Sequence, residues 1–186
     1  MNRVILFSAP SGCGKTTIIN HILQLFDCFE FSISATSRKP RGEERDGVDY
    51  YFLTEEEFKR RAAREEFLEW EEVYQGTCYG TLKSEVERIW SNGHVIIFDV
   101  DVNGGKNIKR YFGEQCLSIF VMPPSLEVLE QRLRSRGTDE EASILKRLAR
   151  SAQELQEAPC FDRTIINDDL ATAVEETRQA IAQFIQ

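Results

Sequence analysis

A glycine-rich segment near the start of the chain has the residue types needed to bind a phosphate group. It reads Ser8-Ala9-Pro10-Ser11-Gly12-Cys13-Gly14-Lys15-Thr16-Thr17 and follows the apolar run Val4–Phe7. Glycines let consecutive backbone amides turn towards an anion, and the positive end of a following helix adds attraction. Lys15 can reach the β- and γ-phosphates of a nucleotide, and the Thr16 hydroxyl can hold Mg²⁺. We predict a nucleotide-binding phosphate loop; the alternative is a glycine-rich turn between a strand and a helix.

Three further residues bear on this phosphate loop. Ala9 stands where the usual loop pattern has its first glycine, although Gly12 adds a glycine inside the loop. We interpret Cys13 as a spacer; the alternative is that inward-facing amides lower the pKa of its thiol. Asp99 ends the apolar run Val95–Phe98, where a carboxylate can act on Mg²⁺ through water. The alternative for Asp99 is a cap on the following helix.

A second set of residues suits another phosphate. Arg38 and Arg41 lie three positions apart in the segment Ser34–Glu43, on either side of Pro40. Two guanidinium groups favour bidentate binding of a phosphate monoester, whereas the alternative is a solvated basic loop.

Polar residues further along the chain can complete a nucleotide subsite. The hydroxyls of Tyr50 and Tyr79 can hold a phosphate. The carboxylate of Glu69 can accept from two donors on one purine edge, and Thr81 can donate to a carbonyl. The alternative for Glu69 is a surface acid beside Trp70, which is expected in the core.

Basic residues also gather in the last third of the chain. Arg132 and Arg136 lie on a predicted helix end and in the turn that Gly137 breaks, and Lys146 and Arg147 follow. Such arginines can close over phosphates during transfer.

The elements that position these residues alternate along the chain. Strands are predicted at Val4–Phe7, Val95–Phe98, Leu117–Met122 and Arg163–Ile166, and helices at Thr16–Phe26, Lys83–Trp90, Asn103–Phe112, Ser125–Arg134, Asp139–Glu157 and Leu170–Phe184. This alternation predicts a doubly wound α/β fold with a parallel sheet and helices on both of its faces. The stretch from Ser34 to Thr81 departs from it, with short β pieces at Val48–Leu53, Phe67–Glu71 and Val73–Tyr79. Thr54 and Glu57 form a capping box that opens one helix among them.

Composition narrows the class of protein. The chain has 186 residues, of which 41% are hydrophobic and 29% charged, so we expect one globular domain. Its net charge of −8 argues against a general nucleic-acid partner, and no apolar run is long enough for a membrane span. Its five cysteines are scattered and form no CxxC pair, which favours a reducing, cytoplasmic location.

Taken together, these motifs strongly resemble the guanylate kinase family. The resemblance runs from Arg3 to about Leu170, and its most specific part is the pair Arg38 and Arg41. It implies a P-loop core (1–34, 85–125 and 158–186), a mixed α/β insert that binds GMP (35–84) and a helical lid (126–157). It also implies transfer of the γ-phosphoryl group of ATP to GMP, with Mg²⁺ as cofactor. Both substrates are small molecules, and a monomer and a homo-oligomer are equally compatible with the sequence.

The resemblance also implies roles for individual residues. ATP would be bound by the loop Ala9–Thr17 and by Asn167 near the adenine, and Mg²⁺ by Thr16 and, through water, by Asp99. The GMP phosphate would be held by Arg38, Arg41, Tyr50 and Tyr79, and the guanine by Ser34, Glu69, Thr81 and Asp101. The catalytic cations would be Lys15, Arg38, Arg41, Arg132, Arg136 and Arg147.

Two other functions are alternatives to an active guanylate kinase. One is a catalytically inactive guanylate-kinase-like interaction module, but such modules lack a working phosphate loop, whereas Gly14, Lys15 and Thr16 are present here. The other is a kinase for a phosphorylated sugar, against which Glu69 and Thr81 argue.

Overall fold

The structure is a computed structural model that describes residues 2–74, 76–135 and 141–186. Its strands are β1 (Val4–Ser8), β2 (Phe29–Phe31), β3 (Ala35–Thr36), β4 (Tyr51–Phe52), β5 (Phe67–Tyr74), β6 (Thr77–Leu82), β7 (Val95–Asp99), β8 (Cys116–Met122) and β9 (Arg163–Ile166). Its helices are α1 (Lys15–Leu25), α2 (Glu55–Ala63), α3 (Lys83–Ser91), α4 (Val102–Phe112), α5 (Leu126–Ser135), α6 (Glu141–Leu155) and α7 (Leu170–Ile185). Within these ranges, no helix is long and apolar enough to cross a membrane.

The strands form two sheets. One has five strands in the order β2-β7-β1-β8-β9, and the other has four in the order β4-β3-β6-β5. The pairs β1–β8, β2–β7 and β8–β9 are parallel, whereas the four-stranded sheet mixes one parallel pair with two antiparallel pairs. The predicted α/β fold with a parallel sheet is confirmed, and the strands of the predicted mixed α/β insert form a second sheet of their own.

By contacts, the chain divides into two compact units, and the division falls within β7. The first unit contains Cys28–Ile97, and the second contains Arg3–Asp27 and Phe98–Gln186. In the second unit, every residue of β1 is buried, as expected for a parallel strand covered on both faces. Because β1, β8 and β9 are parallel neighbours, their carboxyl ends lie at one edge of the sheet. The segments that follow Ser8 and Ile166 therefore come together there.

The first unit has its own apolar core beside the four-stranded sheet. Phe58 on α2 stacks on Phe67 with ring centroids 4.4 Å apart, and Ala35, Cys78 and Leu82 complete the buried cluster. Helix α2 begins as predicted, since the Thr54 hydroxyl accepts a hydrogen bond from the Glu57 amide at 3.1 Å.

The first unit also contains the sequence predictions that were wrong. Only Tyr51–Phe52 is a strand within the predicted range Val48–Leu53. The pieces predicted at Phe67–Glu71 and Val73–Tyr79 are instead the two long strands β5 and β6, separated at Gly76, whose φ is +75°. Trp70, expected in the core, is 48% exposed. The predicted start of a helix at Asp139 lies outside the described residues.

Candidate active site

The glycine-rich loop lies between the buried strand β1 and the first turn of α1. Gly12 and Gly14 have φ of +97° and +84°, a backbone region that side chains with a Cβ rarely adopt. The Cys13 amide donates to the Pro10 carbonyl at 3.3 Å, which closes the turn before the helix. Thr16 and Thr17 are exposed on the first turn of α1. The loop thus has the strand–turn–helix setting of a phosphate-binding loop.

Lys15 is held at the carboxyl end of β7. Its ammonium group forms a salt bridge with the Asp99 carboxylate and lies 3.3 Å from the Val100 carbonyl oxygen. The Val100 amide donates to the Phe7 carbonyl at 3.2 Å, so this segment is fixed to β1 just before the loop. The structure therefore brings Lys15 and Asp99 together.

Asn167 joins the loop to the end of β9. Its side-chain Nδ2 donates to the Cys13 carbonyl at 2.8 Å, and it is buried with 6% exposure. Arg132 on α5 donates from Nη2 to the Asn167 backbone carbonyl at 2.9 Å. A Cβ on Gly12 would come within 3.0 Å of Leu129 and Leu133, so α5 also packs closely on the loop. Asn167 and Arg132 are therefore next to the phosphate loop.

Burial determines the ionisation of Cys13. Its side chain is enclosed under the loop, and burial raises the pKa of the thiol to about 12, although the charge of Arg132 opposes this. The thiol stays protonated at neutral pH, so the alternative of a pKa lowered by the loop amides is wrong for this residue.

The remaining predicted residues of the second unit have separate places. Asp101 is the N-cap of α4, where its Oδ1 accepts a hydrogen bond from the Gly104 amide at 2.8 Å. Arg147 is half-buried on α6. Arg136 lies outside the described residues.

In the first unit, the guanidinium group of Arg38 contacts two tyrosines and a glutamate. Its Nε donates to the Tyr79 hydroxyl at 3.1 Å, and its Nη1 and Nη2 donate to the two carboxylate oxygens of Glu44 at 2.6 and 2.8 Å. The guanidinium carbon is 4.8 Å from the centroid of the Tyr50 ring. Hydrogen bonds from Arg38 and from the Arg41 amide lower the pKa of Glu44 to about 2. The structure thus brings Arg38, Tyr50 and Tyr79 together and exposes the Arg41 side chain.

Glu44 is the residue of this cluster that the sequence analysis missed. It accepts from both terminal nitrogens of Arg38, Nη1 and Nη2, in the bidentate manner of a phosphate. Its Oε2 also accepts from the Arg41 amide at 2.8 Å. The sequence feature that could have indicated this residue is a carboxylate three positions after Arg41.

Glu69 and Thr81 face each other across the β5–β6 ladder. The Thr81 hydroxyl, which is fully buried, donates to Glu69 Oε1 at 2.8 Å. Glu69 is only partly exposed, whereas its neighbour Trp70 is on the exposed side of the strand. Ser34 precedes β3, and its carbonyl accepts from the Tyr51 amide at 2.9 Å. The pairing of Glu69 with Thr81 joins an acceptor and a donor suited to a purine edge.

A phosphate loop after a central parallel strand, with Lys15 beside an acid from a neighbouring strand, defines the class of P-loop kinases. A shikimate kinase structure from Bacteroides thetaiotaomicron has a similar fold, with a TM-score of 0.52 at 13% identity, covering 98% of both chains. A guanylate kinase structure from Anaplasma phagocytophilum is more similar, with a TM-score of 0.75 and 29% identity over 99% of this chain and 87% of that one.

Sequence comparisons identify the family within this class. The guanylate kinase family model matches residues 1–184. The guanylate kinase of Bacteroides thetaiotaomicron is 55% identical over 98% of this chain and 90% of its own length, and that of Porphyromonas gingivalis is 53% identical over 100% and 99%. The chain belongs to the guanylate kinase family. It is a nucleoside monophosphate kinase that phosphorylates GMP to GDP with ATP.

Proposed function

We propose that this chain catalyses the reaction by binding ATP at the phosphate loop and GMP at the Arg38 cluster of the first unit. The observation that carries the proposal is the arrangement around Arg38, whose guanidinium fork, flanked by Tyr50 and Tyr79, is engaged by a bidentate carboxylate. A phosphate monoester offers the same pattern of acceptors with more charge. Such a cluster is suited to the acceptor phosphate of a nucleotide.

In the ATP subsite, backbone N–H groups of the loop Ala9–Thr17, other than Pro10, which has none, hold the phosphates, and Lys15 neutralises their charge. Asn167 keeps the Cys13 carbonyl turned away from the anion, which is supported by their hydrogen bond. Asn167 would therefore orient this loop carbonyl in addition to lying near the adenine, as the resemblance implies. Arg132, Arg136 and Arg147 supply further positive charge to the transferred phosphoryl group.

Mg²⁺ fits the donors at this subsite. Thr16 offers an exposed hydroxyl, and Asp99 offers a carboxylate already paired with Lys15, which suits an indirect contact through water. Over residues 2–74, 76–135 and 141–186, no cluster of three or more His, Cys, Asp or Glu side chains could hold a metal ion. Mg²⁺ in kinases is held mainly by nucleotide phosphates and water, so few protein ligands are required. When bound, it would neutralise charge on the phosphates.

In the GMP subsite, Arg38, Arg41, Tyr50 and Tyr79 bind the phosphate. The Glu44 carboxylate competes with that phosphate for the guanidinium of Arg38, but until the phosphate binds it holds the guanidinium in place beside Tyr50 and Tyr79. An arginine that is already oriented loses less conformational entropy when the phosphate binds. Glu44 would therefore preorganise the subsite.

The guanine base would be selected by Ser34, Glu69, Thr81 and Asp101. Guanine presents N1–H and N2–H₂ donors, which match the Glu69 carboxylate, beside the O6 acceptor, to which Thr81 can donate by turning its single hydroxyl proton away from Glu69. Adenine presents a bare N1 acceptor to the carboxylate, which is repulsive. Sites built on buried hydrogen-bonding groups reject such analogues by about 10⁴-fold.

The chemistry requires no general base, because the attacking phosphate oxygen is already ionised at neutral pH. The task is to bring two anions together and to neutralise their charge in the transition state. We assign the acceptor subsite to the segment 35–84 and the transfer arginines to the segment 126–157, with Arg132 and Arg147 among them.

An assay of ADP release with several acceptors tests these assignments. GMP is expected to stimulate ADP release from ATP strongly, whereas AMP and ribose phosphates are expected to leave it near background. Stimulation by a sugar phosphate, or by AMP to the level of GMP, would overturn the guanine subsite. An absence of ADP release with every acceptor would indicate an inactive module.

A further inference from the structure

A buried carboxylate in the first unit has no place in the reaction described so far. Glu85 lies on α3, and its side chain is 1% exposed. Its Oε1 accepts a hydrogen bond from the Ile33 backbone amide at 2.9 Å, and its Oε2 accepts one from the Tyr51 hydroxyl at 2.8 Å. Arg88, one turn along the helix, donates to both oxygens at 2.9 Å. Each carboxylate oxygen therefore has two donors.

Glu85 is held in its ionised form by these donors. Burial by itself raises the pKa of a carboxyl group, but the hydrogen bonds from Arg88, Ile33 and Tyr51 outweigh it, and the pKa of Glu85 lies below its ordinary value. Its hydrogen bond in turn helps to raise the pKa of Tyr51, to which burial contributes most. A buried charge without such partners would be strongly destabilising, so the four contacts must form together.

The backbone and side-chain donors come from two segments that carry the proposed GMP subsite. Ile33 immediately precedes Ser34, and Tyr51 immediately follows Tyr50. These segments pair directly with each other through only two residues each, in the ladder of β3 with β4. So short a pairing gives limited stability by itself. The carboxylate of Glu85 links both segments to one helix.

The surroundings of Tyr51 show why this link matters for position. An open pocket of about 330 Å³ is lined by Tyr51 together with Phe52, Leu53 and Leu82, among others. Packing therefore leaves space on this side, and the hydrogen bond to Glu85 limits how far the ring and its backbone can move. Movement of Tyr51 would carry Tyr50 with it, because the two residues are adjacent.

We propose that Glu85 is a positioning residue for GMP binding, which fixes the segments of Ser34 and Tyr50 through Ile33 and Tyr51. It does not touch the substrate in this proposal. The inference rests on the proposed GMP subsite, since it gives that subsite a support on α3.

The test compares three substitutions within the first unit. Glu85→Gln removes the charge and weakens the contacts with Arg88, Ile33 and Tyr51. Tyr51→Phe removes only the hydroxyl and leaves Glu85 paired with Arg88 and Ile33. Glu30→Gln is the matched control, because Glu30 also binds Arg88 through one carboxylate oxygen but pairs with His94 through the other. Steady-state kinetics for both substrates and urea unfolding are measured on each variant.

The proposal expects an effect confined to GMP affinity. Glu85→Gln should raise KM for GMP about tenfold, equivalent to about 1.4 kcal/mol, with KM for ATP and kcat within twofold of the original. Tyr51→Phe should raise the same constant about threefold. The double variant should not exceed Glu85→Gln alone, because both act on one contact. Glu30→Gln should lower stability without changing KM for GMP.

Other outcomes distinguish a failure of the positioning role of Glu85 from a failure of the proposed GMP subsite. Equal changes in KM for GMP in Glu85→Gln and Glu30→Gln, or multiplied effects in the double variant, would overturn the positioning role. An unchanged KM for GMP in Tyr51→Phe would also overturn the positioning role. Arg38→Lys, measured in parallel, tests the subsite itself: no rise in its KM for GMP would overturn the proposed subsite, whatever Glu85→Gln does.

Discussion

Gly14→Ala tests how tightly Asn167 holds the phosphate loop. Gly14 has a φ of +84°, and a Cβ built on it would lie 2.3 Å from Asn167 Nδ2, far inside van der Waals contact. The left-handed backbone costs an alanine about 1–2 kcal/mol. Displacing Asn167 breaks its buried hydrogen bond to the Cys13 carbonyl and leaves polar groups unpaired, which costs about 1–3 kcal/mol. The expected loss in the free energy of unfolding is therefore about 2–5 kcal/mol.

Gly93→Ala is the matched control for the backbone contribution. Gly93 follows α3 with a φ of +77°, and a Cβ there would meet nothing within 4 Å. Its expected loss is about 1–2 kcal/mol, from the backbone alone. Urea unfolding of both variants gives the difference that Asn167 contributes. KM for ATP should rise in Gly14→Ala and stay unchanged in Gly93→Ala.

Adding Asn167→Ala to Gly14→Ala completes the test. Asn167→Ala alone loses the hydrogen bond, but in the double variant it also removes the clash. The combined loss should therefore be smaller than the sum of the single losses. Strict additivity, or equal losses in Gly14→Ala and Gly93→Ala, would refute the reasoning.

Three further predictions concern other residues of the two subsites. Lys15→Ala should lower kcat by about 100-fold or more while the urea midpoint stays in place, and near-normal turnover would contradict the phosphate-loop assignment. Glu69→Gln should raise KM for GMP at least about tenfold and leave KM for ATP almost unchanged; equal rises would remove Glu69 from the guanine subsite. Because burial raises the pKa of Cys13 to about 12, iodoacetamide at pH 8 should modify the exposed Cys28 and Cys160 first, as read by peptide mass spectrometry. Early modification of Cys13 would show that it is accessible.

The strands of the parallel sheet were predictable where they are buried on both faces. The apolar runs at Val4–Phe7 and Val95–Phe98 became β1 and β7, each one residue longer than predicted. Every residue before the last is apolar in both strands, so the end of each apolar run is marked by a polar residue, Ser8 before the glycine-rich loop and Asp99 in β7. The range Arg163–Ile166 matches β9.

Strands of two or three residues were not predictable. Phe29–Phe31 and Ala35–Thr36 are too short to show a period, and they are strands only because neighbouring strands supply hydrogen bonds. The hairpin of β5 and β6 was divided wrongly because Val73 continues the strand, and the turn comes at Gly76. Pairing partners distant in sequence decided the two short strands, β2 with β7 and β3 with β6.

For the candidate site, residue type was predictable but the partner was not. Spacing singled out Arg38 as an anion binder, and the structure adds that Glu44 engages it. Glu85 gave no signal, because the chain has 31 acidic residues and most such residues are solvated. Only the fold shows that donors from positions 33 and 51 converge on this carboxylate.

The hydrogen bond between Asn167 and Cys13 also has a consequence for synthesis of the chain. These residues are 154 positions apart, so the loop is fastened by a residue that is synthesised long after the loop itself. Until β9 has been made, the Cys13 carbonyl lacks this donor and α5 lacks the backbone acceptor for Arg132. Contacts of such long range form late because closing the intervening chain is entropically unfavourable. A nascent chain released before residue 167 would carry every residue of the phosphate loop without the amide that fastens it.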